Sequence, residues 1–99
     1  MHVFPLCAYF VLEWVMYPNY CVSETNEDLP ATYHAAGNSG VDACQSECSK
    51  VSKCSAIEWY GKYKLCNLIL SDVPAVKGFN GTRLLDAECY IKPGNGKMS

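Results

Sequence analysis

The stretch at residues 44–60, CQSECSKVSKCSAIEWY, decides the fold because it predicts a helix followed closely by a strand. One face of that helix carries Val41, Cys44, Cys48 and Val51, which are spaced at i, i+3, i+7 and i+10. The last five residues of the stretch, AIEWY, have the β-branched and aromatic bias of a strand. We therefore expect both helical cysteines to face the core.

The residues around this stretch complete the helix and a hairpin. Ser39 or Asp42 can cap the helix, which we expect to run to about Lys53. Residues 61–64, GKYK, predict a polar turn, and residues 65–70 predict the returning strand. A β-hairpin therefore follows the helix.

The other segments read as loops with short extended pieces. Residues 23–40 are rich in Asn, Glu, Asp, Pro and Gly, which predicts an irregular connection with one extended piece near residues 32–34. Residues 71–83 predict a second loop, and residues 88–92 predict a closing strand that Pro93 ends.

The chain has seven cysteines in 99 residues, a density typical of small extracellular domains that disulfides stabilise. From Cys21 onward the spacing is C-x22-C-x3-C-x5-C-x11-C-x22-C, which by itself allows several pairings. Cys44 and Cys48 point the same way on one helix, so each should reach a different element. Cys54 can fold back on Cys48, Cys66 can meet Cys44, and the outermost pair can join the two ends.

The motif Cys44-x3-Cys48-x5-Cys54-SAIEWY, followed by Cys66-Asn67-Leu68, resembles the PAN/apple domain family, and the resemblance spans about residues 21–89. It implies a small disulfide-rich α+β domain in which one helix packs on an antiparallel sheet. It also implies a nested disulfide pairing: Cys21 with Cys89, Cys44 with Cys66, and Cys48 with Cys54.

The N-terminal residues 1–20 are apolar and predict either a signal peptide or an ordered extension packed on the domain, unless the chain is a fragment. The apolar run is too short to span a bilayer, so no stable membrane span is expected. Removal of Cys7 with a leader would leave an even number of cysteines, which favours the signal peptide. The domain is then residues 21–92, with a flexible tail at 93–99.

Composition and spacing argue against several chemistries. A formal charge of −2 disfavours nucleic acid and other polyanions. Structural zinc prefers C-x2-C pairs, which the spacing lacks, so we expect no metal or other cofactor. We expect no enzyme activity either, since His34 reads as an exposed loop residue.

Two carboxylate pairs could be considered for acid–base chemistry, namely Glu58 with Asp72 and Asp86 with Glu88. Neither pair lies in a sequence setting that marks a cleft. We therefore expect all four side chains to be solvated surface groups.

Two surface features are candidate sites. Asn80-Gly81-Thr82 is a glycosylation sequon in a predicted loop. The hairpin tip carries an aromatic and basic composition typical of recognition surfaces, which makes Tyr60, Lys62, Tyr63 and Lys64 candidate ligand-binding residues. The alternative is a solvated turn beside a core-facing Trp59.

These features predict a secreted or extracellular, non-catalytic binding module whose partner is a protein or a carbohydrate. One alternative is a structural or accessory fragment of a larger multi-domain secreted protein. Another is a small secreted inhibitor or toxin-like protein, which would need a rigid exposed loop that inserts into its target.

Overall fold

A computed structural model describes residues 13–34, 40–82 and 86–94. Within these ranges the chain forms the helix α1 (Val41–Ser49) and seven strands. The strands are β1 (Val15–Pro18), β2 (Cys21–Val22), β3 (Thr32–His34), β4 (Ala56–Tyr60), β5 (Leu65–Ile69), β6 (Lys77–Gly78) and β7 (Ala87–Ile91). Of the predicted N-terminal segment at residues 1–20, residues 1–12 with Cys7 lie outside the described residues, as do residues 95–99 of the predicted tail at 93–99.

The strands form one antiparallel sheet and one short pair. The sheet has the order β1-β7-β4-β5-β3, with β4 at its centre, and β2 pairs with β6 beside it. The sheet carries α1 on one face, so the predicted α+β class, with one helix packed on an antiparallel sheet, is confirmed.

Period-two alternation along the strands divides the interior into two clusters. On the helix side, Ile57 and Trp59 of β4 and Leu68 of β5 pack with buried cysteines. We call this cluster the helix-side core: Cys44, Cys48, Cys54, Ile57, Trp59, Cys66 and Leu68. The predicted helix face is confirmed, because Cys44 and Cys48 are fully buried and Val41 and Val51 pack against the cluster.

The opposite face of the sheet is covered by loops and by the β2–β6 pair rather than by a helix. Its buried residues form the loop-side core: Cys21, Leu29, Ala56, Ile69, Ala75 and Cys89. Ser55, itself buried, connects a covering loop to this face through a hydrogen bond from the Ala75 N–H to its Oγ at 3.1 Å.

Three disulfides join these elements, and the nested pairing implied by the family resemblance is confirmed. Cys44–Cys66 attaches α1 to β5 of the sheet. Cys48–Cys54 attaches α1 to the turn that follows it. Cys21–Cys89 joins β2 to β7 on the loop side. Three disulfides in a domain of this size are compatible with an extracellular location.

The helix is shorter than predicted and begins differently. It ends at Ser49 rather than near Lys53, because turn hydrogen bonds from Lys50, Val51 and Cys54 replace the helical pattern and lead into the Cys48–Cys54 disulfide. Gly40, at φ +90°, is the N-cap, and no side chain caps the helix. Asp42 therefore lies in the first turn, while Ser39 falls outside the described residues.

Three strands, β1, β2 and β6, were not expected from the sequence. β1 lies in the apolar segment assigned to residues 1–20, yet it pairs with β7 at the edge of the sheet. β6 lies in the predicted loop at residues 71–83 and pairs with β2. The extended piece at residues 32–34 is confirmed as β3, so His34 lies in a strand that pairs with Cys66 and not in a loop.

Candidate functional site

An open groove of about 550 Å³ lies on the loop side of the sheet. Its floor comes from β4, whose Glu58 and Tyr60 alternate with the helix-facing Ile57 and Trp59. Its walls come from Tyr20, in the connection after β1, and from residues 28–31, in the segment that leads into β3. We call it the acidic groove, and it is lined by Tyr20, Asp28, Leu29, Pro30, Ala31, Glu58 and Tyr60.

Glu58 is the buried acid of the groove, which corrects the expectation that it is a solvated surface group. Only 4% of the residue is exposed, because β2 covers this part of β4. Its Oε2 accepts a hydrogen bond from the Cys21 N–H at 3.0 Å, and its Oε1 accepts a long one from the Asn67 side-chain amide at 3.5 Å. Its carboxylate is thus held in one position by a disulfide-bonded strand and by β5.

Burial raises the pKa of Glu58 above its ordinary value. The hydrogen bonds from Cys21 and Asn67 lower the pKa, and the nearby Asp28 carboxylate raises it. Burial also raises the pKa of Tyr60 to about 12, with further contributions from the negative charges of Glu58 and Asp28. Both shifts have the same cause, a partly desolvated site with two acidic groups.

Tyr20 forms an ordered aromatic wall of the groove. Its ring stacks on Phe79, with centroids 4.9 Å apart and planes 13° apart. The Phe79 N–H also donates to the Tyr20 carbonyl at 2.7 Å. An added Cβ at Gly81 would meet the Phe79 ring, so the glycine leaves the room that this ring occupies.

The loop that carries Asp28 is fixed by its own hydrogen bonds. The Ser23 Oγ accepts from the Thr25 and Glu27 N–H groups, at 3.3 and 3.2 Å. Asn26 forms a reciprocal pair with the backbone of Asn80, accepting from its N–H at 2.8 Å and donating to its carbonyl at 3.2 Å. These hydrogen bonds hold the loop that forms one wall of the acidic groove.

The four predicted hairpin-tip residues lie in two different environments. Tyr60 is half-buried and lines the acidic groove, whereas Lys62, Tyr63 and Lys64 lie exposed in the turn that follows β4. The Lys62 ammonium lies 5.7 Å from the centroid of the Tyr63 ring, and 64% of Tyr63 is exposed. Trp59 is buried in the helix-side core, as the alternative interpretation of the tip expected. Ligand contact by all four candidate residues stays a prediction.

The sequon residue Asn80 lies exposed in the loop after β6. Its backbone is held by Asn26, as described above. Glycosylation of Asn80 stays a prediction.

The remaining carboxylates do not form a second acidic site. Asp72 lies beside a smaller groove of about 430 Å³, where it pairs with Lys53 at 3.1 Å. Asp86 is exposed, and Glu88 accepts a hydrogen bond from the Tyr90 hydroxyl at 2.8 Å. Solvated carboxylates were therefore the right expectation for Asp72 and Asp86, and Glu88 is half-buried.

Sequence reasoning missed Tyr20 and Asp28 as parts of the site. The only local signal was the alternation in β4, since inward-facing Ile57 and Trp59 place Glu58 and Tyr60 together on the other face. The residues that meet them come from segments roughly 30 to 40 positions earlier, which no local pattern connects to β4.

Within the described ranges, no group of three or more His, Cys, Asp or Glu residues could hold a metal ion. The same part of the chain contains no helix that is long and apolar enough to cross a membrane. Comparison with protein-family models, curated protein sequences and solved structures gives no match to this chain.

Proposed function

We propose that this chain is an extracellular, non-catalytic binding module of the PAN/apple type that recognises a protein or carbohydrate ligand through the acidic groove and the hairpin tip. The observation that carries the proposal is the groove itself, which combines two tyrosines, two carboxylates and an apolar wall beside an exposed Tyr–Lys turn. Aromatic rings and a few fixed polar groups are the usual composition of recognition sites.

The rigidity of the site supports binding. Glu58 is held by Cys21 and Asn67, and Tyr20 is held by Phe79, so little side-chain freedom is lost when a ligand is bound. The nested disulfide pairing and the α+β architecture agree with the features that the family resemblance implies. The same disulfides support a secreted location, because disulfides persist in oxidising compartments.

The test uses the full chain, produced with its disulfides in an oxidising host. It is applied to a glycan array and to a pull-down from extracellular material, beside the variants Tyr60→Ala and Lys62→Ala. Lys50→Ala, at the C-cap of α1, is the matched control, since it removes an exposed lysine on the helix side of the sheet. We expect a ligand whose capture falls with the groove and tip variants but not with the control. Capture of nothing, or equal capture by all variants, would contradict the proposal.

A further inference from the structure

The acidic groove contains a buried carboxylate with no cation beside it among the described residues. The ion pairs of this part of the chain are Lys50–Glu47 and Lys53–Asp72, and neither involves Glu58. Among the described residues, the charged neighbour that affects the pKa of Glu58 is Asp28, another carboxylate. Buried charges in proteins are ordinarily paired, so an unbalanced acid at the floor of an open groove points to a cationic ligand.

Glu58 keeps capacity to accept further hydrogen bonds. A carboxylate has about four acceptor sites, and Cys21 and Asn67 occupy two of them, one with a long bond. An ammonium or guanidinium group would add charge-assisted hydrogen bonds, which are the strongest kind in this setting. It would also relieve the repulsion between Glu58 and Asp28.

The walls of the groove suit the rest of a basic side chain. Leu29, Pro30 and Ala31 offer apolar surface for an aliphatic stem, and the rings of Tyr20 and Tyr60 lie beside the acids. A cation within about 6 Å of a tyrosine ring is attracted by its negative face. Long basic side chains bury their stems in this way while the charge stays at polar groups. The volume of about 550 Å³ is also in the range of small-ligand sites.

We infer that the acidic groove binds a lysine or arginine side chain of a partner protein, with the cationic head at Glu58 and Asp28 and the stem along Leu29, Pro30 and Ala31. This inference rests on the proposed binding function and names the partner as a protein with an exposed basic residue. A neutral sugar would leave the two carboxylates without a counter-charge, so a protein ligand is favoured over a carbohydrate.

The experiment titrates the full, disulfide-bonded chain with small probes and follows backbone amide chemical shifts by NMR. The cationic probes are Nα-acetyl-lysinamide and Nα-acetyl-argininamide. The matched neutral probes are Nα-acetyl-norleucinamide and Nα-acetyl-citrullinamide, and free monosaccharides are tested in parallel. We expect the cationic probes to shift the amides of residues 28–31 and 58–60 and to bind about tenfold more tightly than the neutral ones. Equal affinity of the neutral probes, or preference for a monosaccharide, overturns the inference.

Variants assign the binding to the groove. Glu58→Gln keeps the shape of the side chain and should weaken the cationic probes about tenfold, whereas Asp28→Asn should weaken them a few-fold because Asp28 is exposed. Asp72→Asn is the control, because this acid lies in the other groove and is paired with Lys53. Should Glu58→Gln not fold, Asp28→Asn and Tyr60→Ala carry the same test. Unchanged affinity in the groove variants overturns the inference.

The two proposals fail in different ways. If a ligand from the extracellular pull-down depends on Tyr60 but lysinamide and argininamide neither bind nor compete, the cationic specificity is wrong and the binding function stands. If neither a captured ligand nor a probe responds to substitutions in the groove, the binding function fails as well.

Discussion

The two faces of the central sheet differ in what covers them and in what they contain. On the helix side, α1 and two disulfides close a cluster made of apolar residues and cysteines. On the loop side, short strands and turns leave an open groove, and one disulfide lies beside a buried carboxylate.

The helix side of the sheet contributes to stability, and the loop side carries the proposed recognition site. The helix side buries Ile57 and Trp59 against the helix, and the described groove residues lie elsewhere. The loop side keeps Glu58 and Tyr60 from the same strand at a groove. One strand thus serves the core with alternate residues and the candidate site with the others, because successive side chains point to opposite faces.

The largest expected effects come from the disulfides of the two sides. Loop-closure entropy grows with the number of residues enclosed, and the separations are 68 for Cys21–Cys89, 22 for Cys44–Cys66 and 6 for Cys48–Cys54. Replacing each pair with alanine should therefore cost about 4, about 3 and about 2 kcal/mol of unfolding free energy, and full reduction should unfold the domain.

Urea denaturation of the three paired variants measures this order, and near-UV circular dichroism in excess reductant measures the effect of reduction. The expected order would show that the loop-side disulfide, Cys21–Cys89, contributes more to the unfolding free energy than either helix-side disulfide. A cooperative melt with an intact near-UV signal after reduction would contradict the prediction.

Two buried isoleucines provide the next comparison. Ile57 and Ile69 are both fully buried on neighbouring strands, Ile57 in the helix-side core and Ile69 in the loop-side core. Truncation to alanine costs about 2–5 kcal/mol, and more where the surroundings cannot collapse into the cavity. We expect Ile57→Ala to cost about 1 kcal/mol more than Ile69→Ala, since the disulfide-attached helix is the less adaptable cover. Urea denaturation curves decide this, and the reverse order would show that the loops are the more rigid layer.

Gly78 tests how closely the loop-side cover packs. A Cβ at this position would meet the Pro18 carbonyl of β1 and would also lie 3.0 Å from the Cβ of Tyr17. Gly78→Ala should force β6 away from β1 and cost about 1–3 kcal/mol, as overpacking does elsewhere. The change should also disturb the neighbouring Tyr20–Phe79 stack, which tyrosine fluorescence and thermal denaturation can follow. Native stability in Gly78→Ala would show that the cover is loose here.

The smallest expected effect is a pH dependence confined to the loop side. Because burial holds the pKa of Glu58 above its unfolded value, the folded state keeps the proton to higher pH than the unfolded state does. The contribution of Glu58 protonation to the unfolding free energy is therefore fully present below the pKa of the unfolded state. It is lost as the pH rises through the pKa of the folded state.

Glu58→Gln removes this titration, so its unfolding free energy should show a smaller fall with rising pH than that of the native chain. Urea denaturation across the acidic to neutral range makes the comparison, with Asp72→Asn as the exposed control. Equal slopes for Glu58→Gln and the native chain would contradict the assignment to Glu58.

The sequence predicted the elements that depend on local periodicity. The helix face with Cys44 and Cys48 and the hairpin of β4 and β5 follow from spacings within a few residues. The core position of Trp59 agrees with the alternative interpretation of the hairpin tip. It did not predict β1 or the β2–β6 pair, because strands of four and two residues carry little pattern and depend on partners far along the chain. The site was predicted only in part, through Tyr60.

By itself, the sequence determined that this is a small disulfide-stabilised domain with a helix and a hairpin, since cysteine number and residue periodicity are properties of the chain alone. Only the tertiary structure decided that Glu58 is a buried acid and that Tyr20 and Asp28 meet it at one groove. The reason is that burial and electrostatic environment depend on which distant segments cover a strand. Here β2 and the segment before β3 cover one face of β4, a contact that no local spacing encodes.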